Sequence, residues 1–378
     1  MEFIFLGTGT SSCLPNVHCL TKPPGEPPCA TCLSTLKPEG KKNIRRNTSA
    51  VIRTEAKDGR EVTIVIDAGK TFQAAAVEWF PKYGLRQIDA LLITHAHADA
   101  MNGLDDLRGW TLGKHIQSHI DVYLSEATFR EVKRSFPYLV SKEFASGGGD
   151  VPEFVWHFID DKVPFEIGDT GIQITPFLVQ HGRLFTTLPC PAYAPTPTND
   201  PIPSAQMNNL SLGVKSKKDE KIIQPYLSFG FLIQQEIVYL SDVSDIPKEA
   251  WTIINEAKAD RPLPLCILDC LNLKPHTSHF GLKQAINAAR EIGAQRTYFT
   301  GFSHQVGHEE YVTILEAVGG ASKDGLELTD IEKEGLKLVD PGEHVWIRPA
   351  HDGLRIFIEG GKVRDETYGS SQIETADI

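Results

Sequence analysis

Short apolar runs rich in β-branched residues recur along the chain, alternating with stretches whose apolar positions fall three and four apart. The runs predict strands near residues 3–6, 49–53, 62–66, 90–94, 121–124, 172–179, 227–233, 237–240, 265–268 and 296–300. The helical spacing predicts helices near 71–83, 125–135, 247–259, 282–292 and 308–317, with Pro247 in a first turn and Gly293 as a stop. Strands and helices in alternation give an α/β class with several hairpins. Two stretches break the rhythm. Residues 11–47 hold four cysteines, six prolines and the basic cluster Lys41-Lys42-Asn43-Ile44-Arg45-Arg46. Residues 183–225 are proline-rich and then polar. An aperiodic stretch of that length reads as a lid, a binding loop or a disordered insertion. The expected organisation is one domain over residues 1–360 carrying both stretches as insertions, followed by a polar tail, 361–378, that frays.

Composition narrows the class. At 378 residues, 41% apolar and 23% charged, the chain can bury the core of one elaborate domain. A net charge of −11 argues against a long polyanionic partner, so a small molecule is expected as substrate and nucleic acid is not. No run approaches 18 apolar residues, which excludes a transmembrane helix. The opening Met1–Gly7 segment reads as a first strand rather than a signal peptide, and a cytoplasmic protein is expected. Seven cysteines, an odd number, point to reduced thiols or metal ligation over a disulfide framework.

The strongest chemical signal is Leu91-Leu92-Ile93-Thr94-His95-Ala96-His97-Ala98-Asp99-Ala100. An apolar strand runs into two histidines at alternate positions, which point the same way from an extended segment and can grip one ion. Cys29-Ala30-Thr31-Cys32 has the spacing of two thiolates on one tetrahedral zinc, and no βαβ context suggests a redox site.

With the His-x-His-x-Asp core in place, the sequence resembles the metallo-β-lactamase-fold hydrolases, an αββα sandwich. Supporting landmarks follow in family order: Ile66-Asp67-Ala68-Gly69, Val179-Gln180-His181-Gly182 and Leu240-Ser241-Asp242, each after an apolar strand. The branch it looks most like is the cyclic phosphodiesterase of bacterial phosphonate breakdown, through Gly7-Thr8-Gly9-Thr10-Ser11-Ser12, Arg45-Arg46-Asn47-Thr48-Ser49, Gly103-Leu104-Asp105-Asp106-Leu107-Arg108 and Ser303-His304-Gln305. The resemblance implies that His95, His97, His181 and Asp242 ligate a catalytic divalent metal, zinc or manganese, with Asp67 orienting a ligating histidine from behind. It also implies a separate structural zinc on Cys19, Cys29, Cys32 and His304. Ten residues separate Cys19 from Cys29, so Cys13 and His18 stand as alternatives to Cys19.

Two positions depart from the pattern. Ala100 and Gly301 stand where the family carries histidines that serve a second metal. Two carboxylates alone are a poor zinc site, so a single catalytic ion is expected, with Asp99 freed to orient water or accept its proton. The rival is a second ion held with help from Asp105 or Asp106. His279, just before a helix, stands where the family has a histidine near the scissile bond, and is expected to protonate the leaving oxygen; a helix cap is its plain alternative. His276 and His308 read as solvent residues. The expected activity is hydrolysis of a small phosphodiester, cyclic or open, by attack of a metal-bound hydroxide. Alternatives are a thioester or lactone hydrolase, a tRNA-processing ribonuclease, and a non-catalytic binding protein that kept the fold.

Overall fold

Strands that are apolar at consecutive positions need cover on both faces. The chain supplies it with two sheets packed face to face and helices outside each. The computed structural model describes residues 1–147, 150–184, 224–259 and 261–369. One sheet runs, in spatial order, β15 (Lys362–Asp365), β14 (Arg355–Glu359), β1 (Glu2–Gly7), β2 (Ser49–Glu55), β3 (Glu61–Ile66), β4 (Ala90–Leu92), β5 (Ile120–Leu124) and β6 (Phe154–Phe158). The other runs β13 (Ile347–Pro349), β12 (Arg296–Thr300), β11 (Leu265–Asp269), β10 (Ile237–Leu240), β9 (Pro225–Ile233), β8 (Gln173–Arg183) and β7 (Phe165–Glu166).

The period of two sorts each strand between two cores. Phe3 and Phe5 of β1, Ile64 and Ile66 of β3, and Ile237 and Tyr239 of β10 meet between the sheets. Their neighbours Ile4, Leu6 and Val65 face helix Phe72–Tyr83, which contributes Phe72, Ala75, Ala76, Trp79 and Phe80. Val238, Leu240, Cys266 and Leu268 face the helices Lys248–Ala257, Leu282–Ile292 and His308–Val318 on the far side. Cys266 thus packs as a small apolar residue, and burial pushes its thiol up to about 12. The result is a single αββα domain, the architecture expected. Among the described residues no helix is long and apolar enough to cross a membrane.

Three expectations need correction. The 11–47 stretch is not structureless: it forms the short helices Val17–Leu20, Ala30–Ser34 and Pro38–Asn43. The tail does not begin at 361. Residues 362–365 are β15, paired antiparallel to β14, and buried Asp365 accepts from Arg296 Nη1 at 2.5 Å and Tyr298 Oη at 2.6 Å. A carboxylate held by a buried guanidinium fastens this end to the second sheet, so the ordered domain reaches at least residue 369. His308 is 1% exposed rather than a solvent residue, with Nε2 3.0 Å from the Tyr368 hydroxyl. Almost all of the expected lid, residues 185–223, lies outside the described residues. The strands on either side of it meet where Leu184 N donates to the Gln224 carbonyl at 2.8 Å.

His351 closes the same corner. Its ring nitrogens meet the Asp352 carbonyl at 3.0 Å and the Thr367 hydroxyl at 2.9 Å, and burial pushes it down to about 4. The unfolded chain protonates this group near pH 6.5. A lowered folded value means the contribution is intact above that pH and is lost as pH falls toward 4, by up to ~3 kcal/mol. Urea unfolding of wild type and His351→Gln at pH 7.5 and 4.5 checks this: the wild type's advantage narrows by about that amount at the lower pH.

Candidate metal centre

The centre is assembled where the strands of both sheets end. β3 stops at Asp67, which adopts a positive φ of 60° and turns its buried carboxylate toward the segment leaving β4. Asp67 Oδ1 accepts from Thr94 N and Oδ2 from the Thr94 hydroxyl, both at 2.8 Å. That hydroxyl has one proton to give, so it accepts from His95 Nδ1, also at 2.8 Å. The relay fixes the proton of His95 on Nδ1 and leaves a lone pair on Nε2. This atom is buried without a partner. Asp67 therefore acts on His95 through Thr94, a contact the strand pattern alone does not reveal. Gly69, two residues on, lets this loop press against the next: a Cβ there would lie 1.9 Å from the Asp99 carbonyl oxygen.

His181 reaches the same point from the end of β8. Its Nδ1 donates to the Ser278 carbonyl at 2.8 Å, which again leaves the Nε2 lone pair free. That atom is 3.2 Å from His97 Nδ1 and 3.9 Å from Asp242 Oδ1. Ligands on a tetrahedral ion at ~2.0–2.1 Å stand roughly 3.3 Å apart, so these separations suit a shared cation. One donor atom each from His95, His97 and His181 lie within 4.8 Å of one another, as do those of His181, Asp242 and His279. Burial lowers His95 furthest and His181 with it, and lost hydration on the inner side of His97, with His181 beside it, lowers that ring too, so all three keep the neutral form that ligates. Burial works against the Asp242 carboxylate, yet His181, His95 and His279 around it hold it down to about 2. His97 is exposed and Tyr226 stacks on it at 4.4 Å, so the cluster opens to solvent on that side. An unpartnered buried imidazole nitrogen, two fixed tautomers and a carboxylate are a donor set that fits a divalent ion.

Asp99 adjoins this group, with Oδ1 buried and unpartnered. Asp105 is taken by Arg108 Nη2 at 2.7 Å, and neither Asp105 nor Asp106 joins a cluster of donors among the described residues. His279 is held by a residue that reading the sequence passes over. Asp269, fully buried at the end of β11, accepts from His279 Nδ1 at 2.8 Å and from Val243 N at 3.1 Å. Burial works against the charge of His279, but Asp269, with Asp242 and Asp99 behind it, lifts the ring to about 9. The proton of the pair thus belongs on the imidazole. The signal was there to find: an apolar run, Leu265-Cys266-Ile267-Leu268, ending in an aspartate, the same pattern that marks Asp67 and Asp242. Gly301 faces this carboxylate at φ +78°, where a Cβ would lie 2.4 Å from Asp269 Oδ1. A histidine at 301 could not enter without displacing Asp269.

Cys19, Cys29, Cys32 and His304 form a second group, again with one donor atom each within 4.8 Å of one another. His304 Nδ1 is 3.3 Å from Cys19 Sγ and 3.4 Å from Cys29 Sγ. Of the two alternatives, Cys13 lies outside this group, with Thr71 Oγ1 4.0 Å from its sulfur, and His18 reaches Cys19 Sγ from the flank at 3.2 Å. Burial pushes the Cys32 thiol up to about 12, so a thiolate there needs a cation beside it. Arg45, 1% exposed, ties the cysteine stretch to the His304 loop by donating to the carbonyls of Ser303 and, at 3.0 Å, Val306.

The family described as beta-lactamase superfamily domain matches residues 62–199. A protein of Porphyromonas gingivalis named octanoyltransferase is 27% identical over 347 residues, 91% of this chain and 54% of that protein. The chain thus spans about half the length of that curated relative. Among solved structures, a diphosphatase of the PhnP family superposes with a TM-score of 0.60 at 23% identity, covering 94% of this chain and 95% of that one. Yeast PDE1 does so with a TM-score of 0.50 at 12% identity, covering 94% and 98%. Residues 62–199 thus match a beta-lactamase superfamily domain, and the chain as a whole shares the αββα fold of these solved structures.

Proposed function

We propose that the chain is a phosphodiesterase working with one catalytic ion on a small phosphate ester. His95, His97, His181 and Asp242 would hold that ion, and Cys19, Cys29, Cys32 and His304 a structural zinc. When bound, the catalytic ion lowers the pKa of water and polarises a phosphoryl oxygen. Asp99, its Oδ1 unsatisfied, takes the proton of the attacking water. His279 gives a proton to the departing oxygen, and Asp269 keeps the ring turned and charged for that task.

The observation that carries the reading is the Asp269–His279 pair set 3.9 Å from Asp242. An alkoxide leaving from phosphorus is a poor leaving group and needs a proton; a thiolate leaving from a thioester does not. The diphosphatase named above is in keeping with phosphoryl chemistry. The case for one catalytic ion rests on Ala100, which offers no donor, and on Asp269 standing against Gly301.

Leaving-group dependence tests the acid. Asp269→Asn and His279→Ala are expected to lower kcat by about 10²-fold or more on an alkyl methyl phosphate. On bis-p-nitrophenyl phosphate, whose leaving group needs no proton, the loss is expected to be far smaller, and Asp269→Glu recovers part of the alkyl activity. Equal losses on both substrates would remove the acid role. A second reading, an acyl ester or thioester hydrolase, is favoured by the identity with the protein named octanoyltransferase. Acyl thioesters and lactones belong in the same panel, and turnover of these alone would reverse the order.

A further inference from the structure

Beside the histidines the sheets part around a cavity of about 560 Å³, within the range that encloses a drug-sized ligand. Thr94, Ala96 and His97 stand at the end shared with the metal centre. Tyr226 marks the junction: its ring stacks on His97, and its hydroxyl accepts from Ala96 N at 3.3 Å. Beyond it the walls are Ile159, Leu178, Leu227 and Phe229. Charge at the rim is lopsided. Among the described lining residues, Glu131, Asp160 and Asp161 stand with one guanidinium, Arg134. Arg134 is already paired to Glu131 at 2.5 Å, and Asp161 pairs with Lys162 Nζ at 3.0 Å while accepting from Leu178 N at 2.9 Å. Among the described residues, a second phosphate or any anionic arm would meet the excess carboxylate Asp160 there, with Arg134 and Lys162 already paired. A neutral hydrocarbon would meet walls that match it and would remove their apolar surface from water.

We infer that the cavity takes an uncharged alkyl or acyl chain of the substrate, attached close to the group hydrolysed, which makes the substrate a lipid-like ester rather than a nucleotide. This rests on hydrolysis taking place at the histidine cluster, and it names the substrate class for that reaction.

Calorimetric titration of the metal-loaded protein with methyl, butyl and octyl phosphate tests it, run beside carboxylates of the same chain lengths. Affinity is expected to rise with length in both series by up to about fourfold per methylene, the equivalent of ~0.8 kcal/mol. Ala127→Trp, which fills the cavity from helix Glu126–Ser135, and Leu227→Asp, which charges its wall, are each expected to flatten the rise. Affinities that do not change with length in the wild type overturn the inference, as does a rise untouched by a folded variant of either kind. A rise in both series without turnover of any phosphodiester leaves the chain-binding cavity standing and removes the phosphodiesterase reading instead.

Discussion

Changing His95 and His97 together to alanine takes the protein from about two divalent ions per chain to one, and hydrolysis falls by roughly 10³-fold or more. The count follows from one centre, in which the groups His95–His97–His181 and His181–Asp242–His279 share His181, and from a separate group of sulfurs with His304. The rate follows from losing several kcal/mol of charge stabilisation at the reacting group. His95 contributes most to the effect because its Nε2 has no other partner and its tautomer is already set by Thr94 and Asp67. Elemental analysis of wild type and double variant gives the answer directly. Three ions in the wild type would mean that a second catalytic ion is held despite Ala100 and Gly301. One ion, unaffected by the mutations, would leave only the cysteine group filled, and a binding role would then come first.

The second large effect lies in the other group. Cys32→Ser is expected to cost about 4 kcal/mol or more in stability, the scale on which losing a structural metal is felt. Cys32 is fully buried and packs with Cys19 and Leu14 in a cluster too small to hold its stretch of chain by apolar contact alone. Without an ion the three sulfurs are left as crowded neutral thiols, and cleavage by protease within residues 11–47 should accelerate with the drop in the thermal midpoint. Cys13→Ser is the control. Its sulfur lies outside the group, so zinc content and midpoint should stay near wild type. A Cys32→Ser protein with both unchanged would show these residues to be packing thiols.

Much of this was readable in the chain because the chemistry falls at strand ends. A run of apolar residues fixes a strand, and the alternation just past it pointed to His95 and His97, while His181, Asp67 and Asp242 were legible only through what the resemblance to metallo-β-lactamase-fold hydrolases implies. The Cys29-x-x-Cys32 pair was legible for the same reason of fixed local spacing. What escaped depends on contacts between distant segments. The Asp269–His279 bond needs the loop after β11 to fold back by ten residues, and no local period encodes that return. His308 looked polar and exposed because its partner, Tyr368, lies 60 residues away in a stretch whose composition reads as a tail. Strand β14 was missed alike, because its partner β1 comes from the far side of the chain, and β15 went with it, since it pairs only with β14.

That last pairing has a consequence for biosynthesis. β1 lies between β2 and β14, with Glu2 opposite Arg53 on one side and Phe357 on the other. At roughly 5–20 residues per second, a ribosome needs tens of seconds after making β1 to deliver the strand that seals its second edge. Through that interval the nascent first sheet presents an open, apolar margin, a template for pairing with the wrong chain. A chain stalled before residue 355 should therefore be far more prone to aggregate than its length alone would suggest.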